Sequence, residues 1–184
     1  MSAMADTKLR GKRVLVLGAE SDIGRAIASA LAHAGAELAL VASTTNPEAA
    51  FAVQRLARRL AAHDRHALAQ AIDASNEAAL RVMTRQVAKE LGGLDALLVS
   101  ADLGEKFAAA CRFAAREMAP DRGRGGVAVV VGAGPENAAA LADELAARGV
   151  RLHSLAAAGR SEEELAAAVL ALLAAAVDTA ADSR

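Results

Sequence analysis

The sequence predicts an α/β fold built on a parallel sheet. Three observations carry that prediction. Short β-branched or leucine-rich runs alternate with longer Ala/Leu-rich stretches of helical spacing along the whole chain. Glycines stand where the helical stretches stop: Gly35, Gly92 with Gly93, and Gly149. The links between runs are short, and short strand–helix–strand links imply right-handed crossovers between parallel strands.

Strands are expected near residues 13–17, 37–42, 66–72, 96–100, 127–131 and 151–155. Helices are expected near 23–34, 47–62, 76–91, 105–118, 136–148 and 162–177. Asn46-Pro47 reads as one helix start. Ser161 with Glu164 three residues later reads as another. The segment PDRGRGG, 120–126, reads as a loop inside one domain that spans the chain. Residues 1–10 and 178–184 read as loose ends.

Composition narrows the function. The chain has 184 residues, 54% of them hydrophobic, which is enough for a sizeable core. Much of that share is alanine, so the core should come from closely approaching helices. There is no Trp or Tyr and only three Phe, which argues against an aromatic platform for stacking bases. The net charge is −1 with mixed signs, so charge gives no reason to expect nucleic-acid or membrane binding. The longest uncharged apolar run, 165–177, has 13 residues against the ~18 expected of a membrane span. The opening MSAMADTKLRGK has no apolar signal-peptide core. A single cysteine, Cys111, allows no internal disulfide and fits a cytoplasmic setting. The four histidines lack metal-ligand spacing, so no metal site is expected.

The stretch VLVLGAESDIG, 14–24, joins the first strand to the first helix. Gly18 permits a tight turn, and Gly24 lets backbone or phosphate come close. The helix start offers free N–H groups and a partial positive charge, which favour an anion. Asp22 places a carboxylate there. Read as an N-cap accepting N–H groups, it would contribute about 0.5–2 kcal/mol and partly occupy a phosphate site.

With this turn in place, the sequence resembles the short-chain dehydrogenase/reductase family. LRGKRVLVLGAESDIGRAIASALAHAGAELALVAS, 9–43, is similar to that family's first strand, Gly-x3-Gly-x-Gly turn, first helix and second strand. AIDASNEAAL, 71–80, LGGLDALLVSAD, 91–102, ELAARGVRLHSLAAAG, 144–159, and SEEELAAAVLALLA, 161–174, resemble later family segments. The resemblance implies a Rossmann-like, doubly wound parallel sheet of six strands. The strand order would be 3-2-1-4-5-6, with helices on both faces.

The resemblance also implies a dinucleotide site, NADP or NAD. Gly18, Ser21, Asp22, Ile23 and Gly24 would line the pyrophosphate. Ser43 would stand where the family chooses between the ribose hydroxyls and a 2′-phosphate. No acid lies between Leu40 and Pro47, which favours NADP. Asp73 and Ala74 would face the adenine, and Ala101 keeps one position of the family's Asn-Asn-Ala-Gly. A homodimer or hetero-oligomer through the helices at 105–118 and 136–148 is implied as well.

The departures bear on catalysis. In this family a Tyr gives the proton, a Lys lowers its pKa, and a Ser orients the carbonyl. The chain has no Tyr at all and no Lys beyond Lys106. Gly132 stands at the place of the Ser, and Val99-Ser100-Ala101-Asp102 replaces Asn-Asn-Ala-Gly. The helix carrying the family's active-site Asn, and its final strand, have no counterpart. Hydride transfer to a carbonyl needs a proton donor within hydrogen-bond reach. Substitutes would have to come from His153, Glu136, Asp102 or Cys111. His153 reads first as a structural strand residue, and Cys111 as a small apolar one. No catalytic residue is therefore assigned. The reading is a degenerate, dinucleotide-binding family member acting as a binding, regulatory or partner subunit. The alternatives are an oxidoreductase with a non-family donor and a cofactor-free scaffold.

Overall fold

The computed structural model describes residues 8–61, 67–100, 103–118, 125–132 and 135–181. Strands and helices alternate strictly: β1 (Arg13–Leu17), α1 (Asp22–His33), β2 (Glu37–Ala42), α2 (Pro47–Ala61), β3 (Ala67–Ala71) and α3 (Glu77–Leu91). They continue as β4 (Ala96–Val99), α4 (Lys106–Glu117), β5 (Gly126–Val131), α5 (Pro135–Ala146), β6 (Val150–Leu155) and α6 (Glu162–Ala181). All five strand pairings are parallel, and the order is β3-β2-β1-β4-β5-β6. The chain order reverses beside β1, between β2 and β4. In open sheets of this kind, ligands bind beyond the strand ends at that point.

Alternation along β1 splits the core. Val14 and Val16 face one layer, packed with Ile27, Leu31, Val53, Leu56, Leu165 and Val169 from α1, α2 and α6. Leu15 and Leu17 face the other, packed with Leu80, Val87, Phe107, Cys111, Leu141 and Leu145 from α3, α4 and α5. Because both faces are covered, the central strands read as unbroken apolar runs: β4 and β5 are buried at every position. The edge strand β3 is only half-buried throughout. Alanines take the place of bulk. Ala28 and Ala32 of α1 are buried, and α1 packs along α6.

The helix signals act as the residue types dictate. Asn76 caps α3 by accepting from the N–H groups of Ala78 and Ala79. Ser161 and Glu164 form a reciprocal capping box at α6, at 3.2 and 2.8 Å. At the amino ends of β1 and β4, Arg13 grips Asp95. Its backbone N–H, Nε and Nη2 donate to the carboxylate at 2.9, 2.8 and 3.0 Å.

The ends differ from expectation. Leu9, assigned to a loose terminus, is fully buried, and its N–H bonds to the carbonyl of Ala34. α6 continues through Asp178 to Ala181, because its alanine-rich run meets no breaker at 178.

Candidate functional site

The site grows from the first turn. Gly18 takes φ +91°, a conformation that favours glycine, and this bends the chain off β1. The Gly18 and Ala19 N–H groups bond to the carbonyl of Val41 at 2.9 and 3.2 Å, which ties the turn to β2. Ser21 is the N-cap of α1. Its Oγ accepts from the Gly24 N–H at 2.9 Å, and its hydroxyl donates to the Gly18 carbonyl at 2.8 Å. Asp22 is therefore the first helical residue and not the cap. Its carboxylate is well exposed and pairs with Arg25 one turn along. The correction has a plain cause: the Ser21 hydroxyl sits one residue earlier, in extended backbone, where a cap must be.

Gly24 is a close-approach glycine. A Cβ there would lie 2.2 Å from the Gly18 carbonyl oxygen, 2.8 Å from Ser100 Oγ and 2.9 Å from Ser21 Oγ. Ser100, just past β4, anchors this cluster. Its N–H donates to the Leu17 carbonyl at 2.9 Å, and its hydroxyl to the Gly18 carbonyl at 3.0 Å. The turn thus bridges the ends of β1, β2 and β4. At the start of α1, the N–H groups of Asp22 and Ile23 precede the first helical bond, from the Arg25 N–H to the Ser21 carbonyl at 2.9 Å. Free N–H groups and a glycine that keeps the turn open suit the pyrophosphate of a dinucleotide. The residues present fit that group.

The second half of the site lies at the end of β2. The Ser43 N–H donates to Glu20 Oε1 at 3.0 Å, and the Ser43 hydroxyl donates to the same oxygen. Glu20 Oε2 is cut off from water and has no partner among the described residues. The Ser43 carbonyl accepts from the Ala74 N–H at 3.0 Å, which draws the end of β3 alongside. Ala74 is buried. Asp73 is exposed, and its carboxylate closes a turn by accepting from the Ser75 N–H and hydroxyl at 3.0 and 2.6 Å. These bonds hold its carboxyl below the usual value. Ala101 lies outside the described residues.

The turn, Ser43 and the Asp73-Ala74 pair therefore meet at one end of the sheet. Sequence reasoning missed Glu20 and Ser100. Ser100 stood at a family Asn position and was findable. Glu20 had no local signal, because its partner is 23 residues away.

The substitute proton donors fare unevenly. Burial pushes the Cys111 thiol up to about 12, so it stays protonated between α4 and the sheet. His153 is half-buried on β6 opposite Val129. Burial first, and the charge of Arg151 second, lower its pKa. Gly132, just past β5, offers no hydroxyl. Asp102 and the Glu136 side chain lie outside the described residues. Among the described residues, no group of three His, Cys, Asp or Glu side chains is set to hold a metal. None of the described helices is long and apolar enough to cross a membrane.

Comparison with known proteins places this geometry. The short chain dehydrogenase family model matches residues 12–122, more than half of the chain. The 2,3-dihydro-2,3-dihydroxybenzoate dehydrogenase of Bacillus subtilis is 34% identical over 90 residues, which are 49% of this chain and 33% of that protein. The matched segment thus spans about a third of that relative's length. A short-chain type dehydrogenase/reductase from Mycobacterium marinum superposes with a TM-score of 0.74 at 25% identity, covering 96% of this chain and 94% of that one. A short chain dehydrogenase from Burkholderia cenocepacia, solved in complex with NADP, gives 0.71 at 24% identity, covering 91% and 92%. A turn shaped by Gly18 and Gly24, a sheet in the order β3-β2-β1-β4-β5-β6 and the family match agree: the chain belongs to the short-chain dehydrogenase family.

Proposed function

We propose that this protein binds a nicotinamide dinucleotide across the turn at 18–24 and acts as a binding, regulatory or partner subunit without dehydrogenase turnover. One contrast carries the reading. At the nucleotide end of the sheet the turn, Ser43 and the Asp73-Ala74 pair come together, while the chain holds no Tyr, no Lys beyond Lys106, and a glycine just past β5. Gly18, Ser21, Ile23 and Gly24 would hold the pyrophosphate, with the exposed Asp22 beside it. Ser43, Asp73, Ala74 and Ala101 would flank the adenosine and the path toward the nicotinamide. When bound, the cofactor supplies a hydride to an electrophilic carbon. Among the described residues, neither remaining candidate is suited to deliver the matching proton. A half-buried His153, whose pKa burial lowers, and a locked Cys111 thiol are poor donors.

The test is a panel of aldehydes and ketones with NADH and NADPH, read as loss of the reduced cofactor's absorbance. No turnover above background is expected. Turnover abolished by Asp102→Ala or His153→Ala would establish an enzyme with a non-family donor and overturn the proposal.

The same reading places the protein in the cytoplasm as a dimer through α4 and α5. These helices lie side by side on one face of the sheet, joined by the Arg112–Glu144 ion pair at 2.9 Å. Multi-angle light scattering is expected to give twice the chain mass. A monomer at high concentration would contradict it.

A further inference from the structure

The choice between NAD and NADP is made where the adenosine ribose meets the end of the second strand. An acid there hydrogen-bonds the ribose hydroxyls, while an Arg accommodates a 2′-phosphate. The local sequence Ser43-Thr44-Thr45-Asn46 contains neither, and that gap favours NADP on sequence alone. The fold fills it from elsewhere. Glu20, two residues into the turn, reaches across to the end of β2, where Ser43 donates both its N–H and its hydroxyl to one carboxylate oxygen. The other oxygen, Oε2, is shielded from water and has no partner among the described residues.

We infer that Glu20, held by Ser43, is the specificity-determining acid of this site and selects NAD over NADP. The inference rests on the proposed dinucleotide binding and deepens it. Three features support it. First, a 2′-phosphate brings close to two negative charges, and Glu20 would meet them at short range in a partly desolvated place, where like charges repel strongly. Second, the nearby cation is already engaged. Arg25 donates to the Glu20 carbonyl at 2.7 Å and pairs with Asp22. Third, an orphaned carboxylate oxygen is costly to bury, and a ribose hydroxyl is the donor it lacks. Both oxygens move together when the carboxylate turns, so meeting the ribose would exchange a Ser43 contact for a ribose hydroxyl. The discrimination is thus built by repulsion of the wrong ligand as well as attraction of the right one.

The test is calorimetric titration of the full chain with NADH and, separately, NADPH. NADH is expected to bind on the order of 10- to 100-fold tighter, the range that one close like-charge contact supplies. In Glu20→Gln the amide oxygen still accepts from Ser43 and the charge is gone. The ratio should then fall to within about threefold, mainly through tighter NADPH binding. In Ser43→Arg, a guanidinium beside the ribose should raise NADPH affinity further. Melting curves confirm that each variant is folded. NADPH binding as tightly as NADH in the parent chain, or a ratio that neither variant moves, overturns the inference and leaves dinucleotide binding intact. Neither cofactor binding at millimolar concentration overturns both.

Discussion

Gly24 illustrates how much one hydrogen atom in place of a methyl group decides. Its Cα lies so close to the Gly18 carbonyl that Gly24→Ala would force a 2.2 Å contact with backbone, which cannot swing away as a side chain can. Crowding of this kind costs about 1–3 kcal/mol. The variant should melt several degrees lower and lose cofactor-induced stabilisation in the same thermal scan. An unchanged melting temperature would mean that the turn relaxes freely. Cys111 offers a second check. A thiol pushed up to about 12 is ionised at pH 8 to only one part in roughly ten thousand. A disulfide exchange reagent should therefore find no reactive thiol in the folded protein and one in guanidinium. Rapid labelling of the native chain would contradict the buried placement. Gly18 and Gly24 were legible in the sequence as turn and close-approach glycines, because the bend and the nearest contact lie within the turn itself. The Asp22 carboxylate was misread as the cap, since Ser and Asp are both good caps and only the backbone shows which of two neighbours is extended. Glu20 was invisible for a different reason: its role depends on Ser43, which is near only because β1 and β2 pair.

At the scale of elements, two devices fix the frame around the site. The capping box at Ser161 and Glu164 starts α6, whose Leu165 and Val169 cover the layer beneath α1. Ser161→Ala should cost about 1 kcal/mol in chemical denaturation, with the denaturant slope unchanged. The Arg13–Asp95 grip joins the far ends of β1 and β4. Burial alone would raise the Asp95 carboxyl, but the hydrogen bonds and charge of Arg13 outweigh it, and its pKa stays below the ordinary value. Its stabilisation is therefore complete above the unfolded value of about 4 and fades as pH falls through the lower folded value. Wild-type stability should fall as pH drops below about 5, and Asp95→Asn should flatten that slope. At neutral pH the variant should be less stable by about 1.5–3 kcal/mol, measured by urea unfolding. The element pattern was almost wholly readable, because buried parallel strands and capped helices announce themselves through apolar runs and end residues. The chain ends were not. Leu9 is held by the Ala34 carbonyl, a contact that no local pattern records.

For the whole molecule, membership of the short-chain dehydrogenase family and the sheet order follow from the chain's own alternation and its match over residues 12–122. What the molecule does with that fold turns on an asymmetry between its two halves. The first half brings together the bend at Gly18, the close approach at Gly24 and the bridge from Ser100. The second half closes β5 on Gly132 and supplies no tyrosine anywhere. A residue type that is missing from a chain is the most legible of all signals, whereas a substitute donor would be set by three-dimensional proximity and leaves no trace in sequence. The central claim, that the crevice beyond β1, β2 and β4 holds a nicotinamide dinucleotide, is tested most directly by calorimetric titration of the full chain with NADH. The account predicts saturable binding at one cofactor per chain. No heat and no thermal shift at millimolar NADH would contradict it.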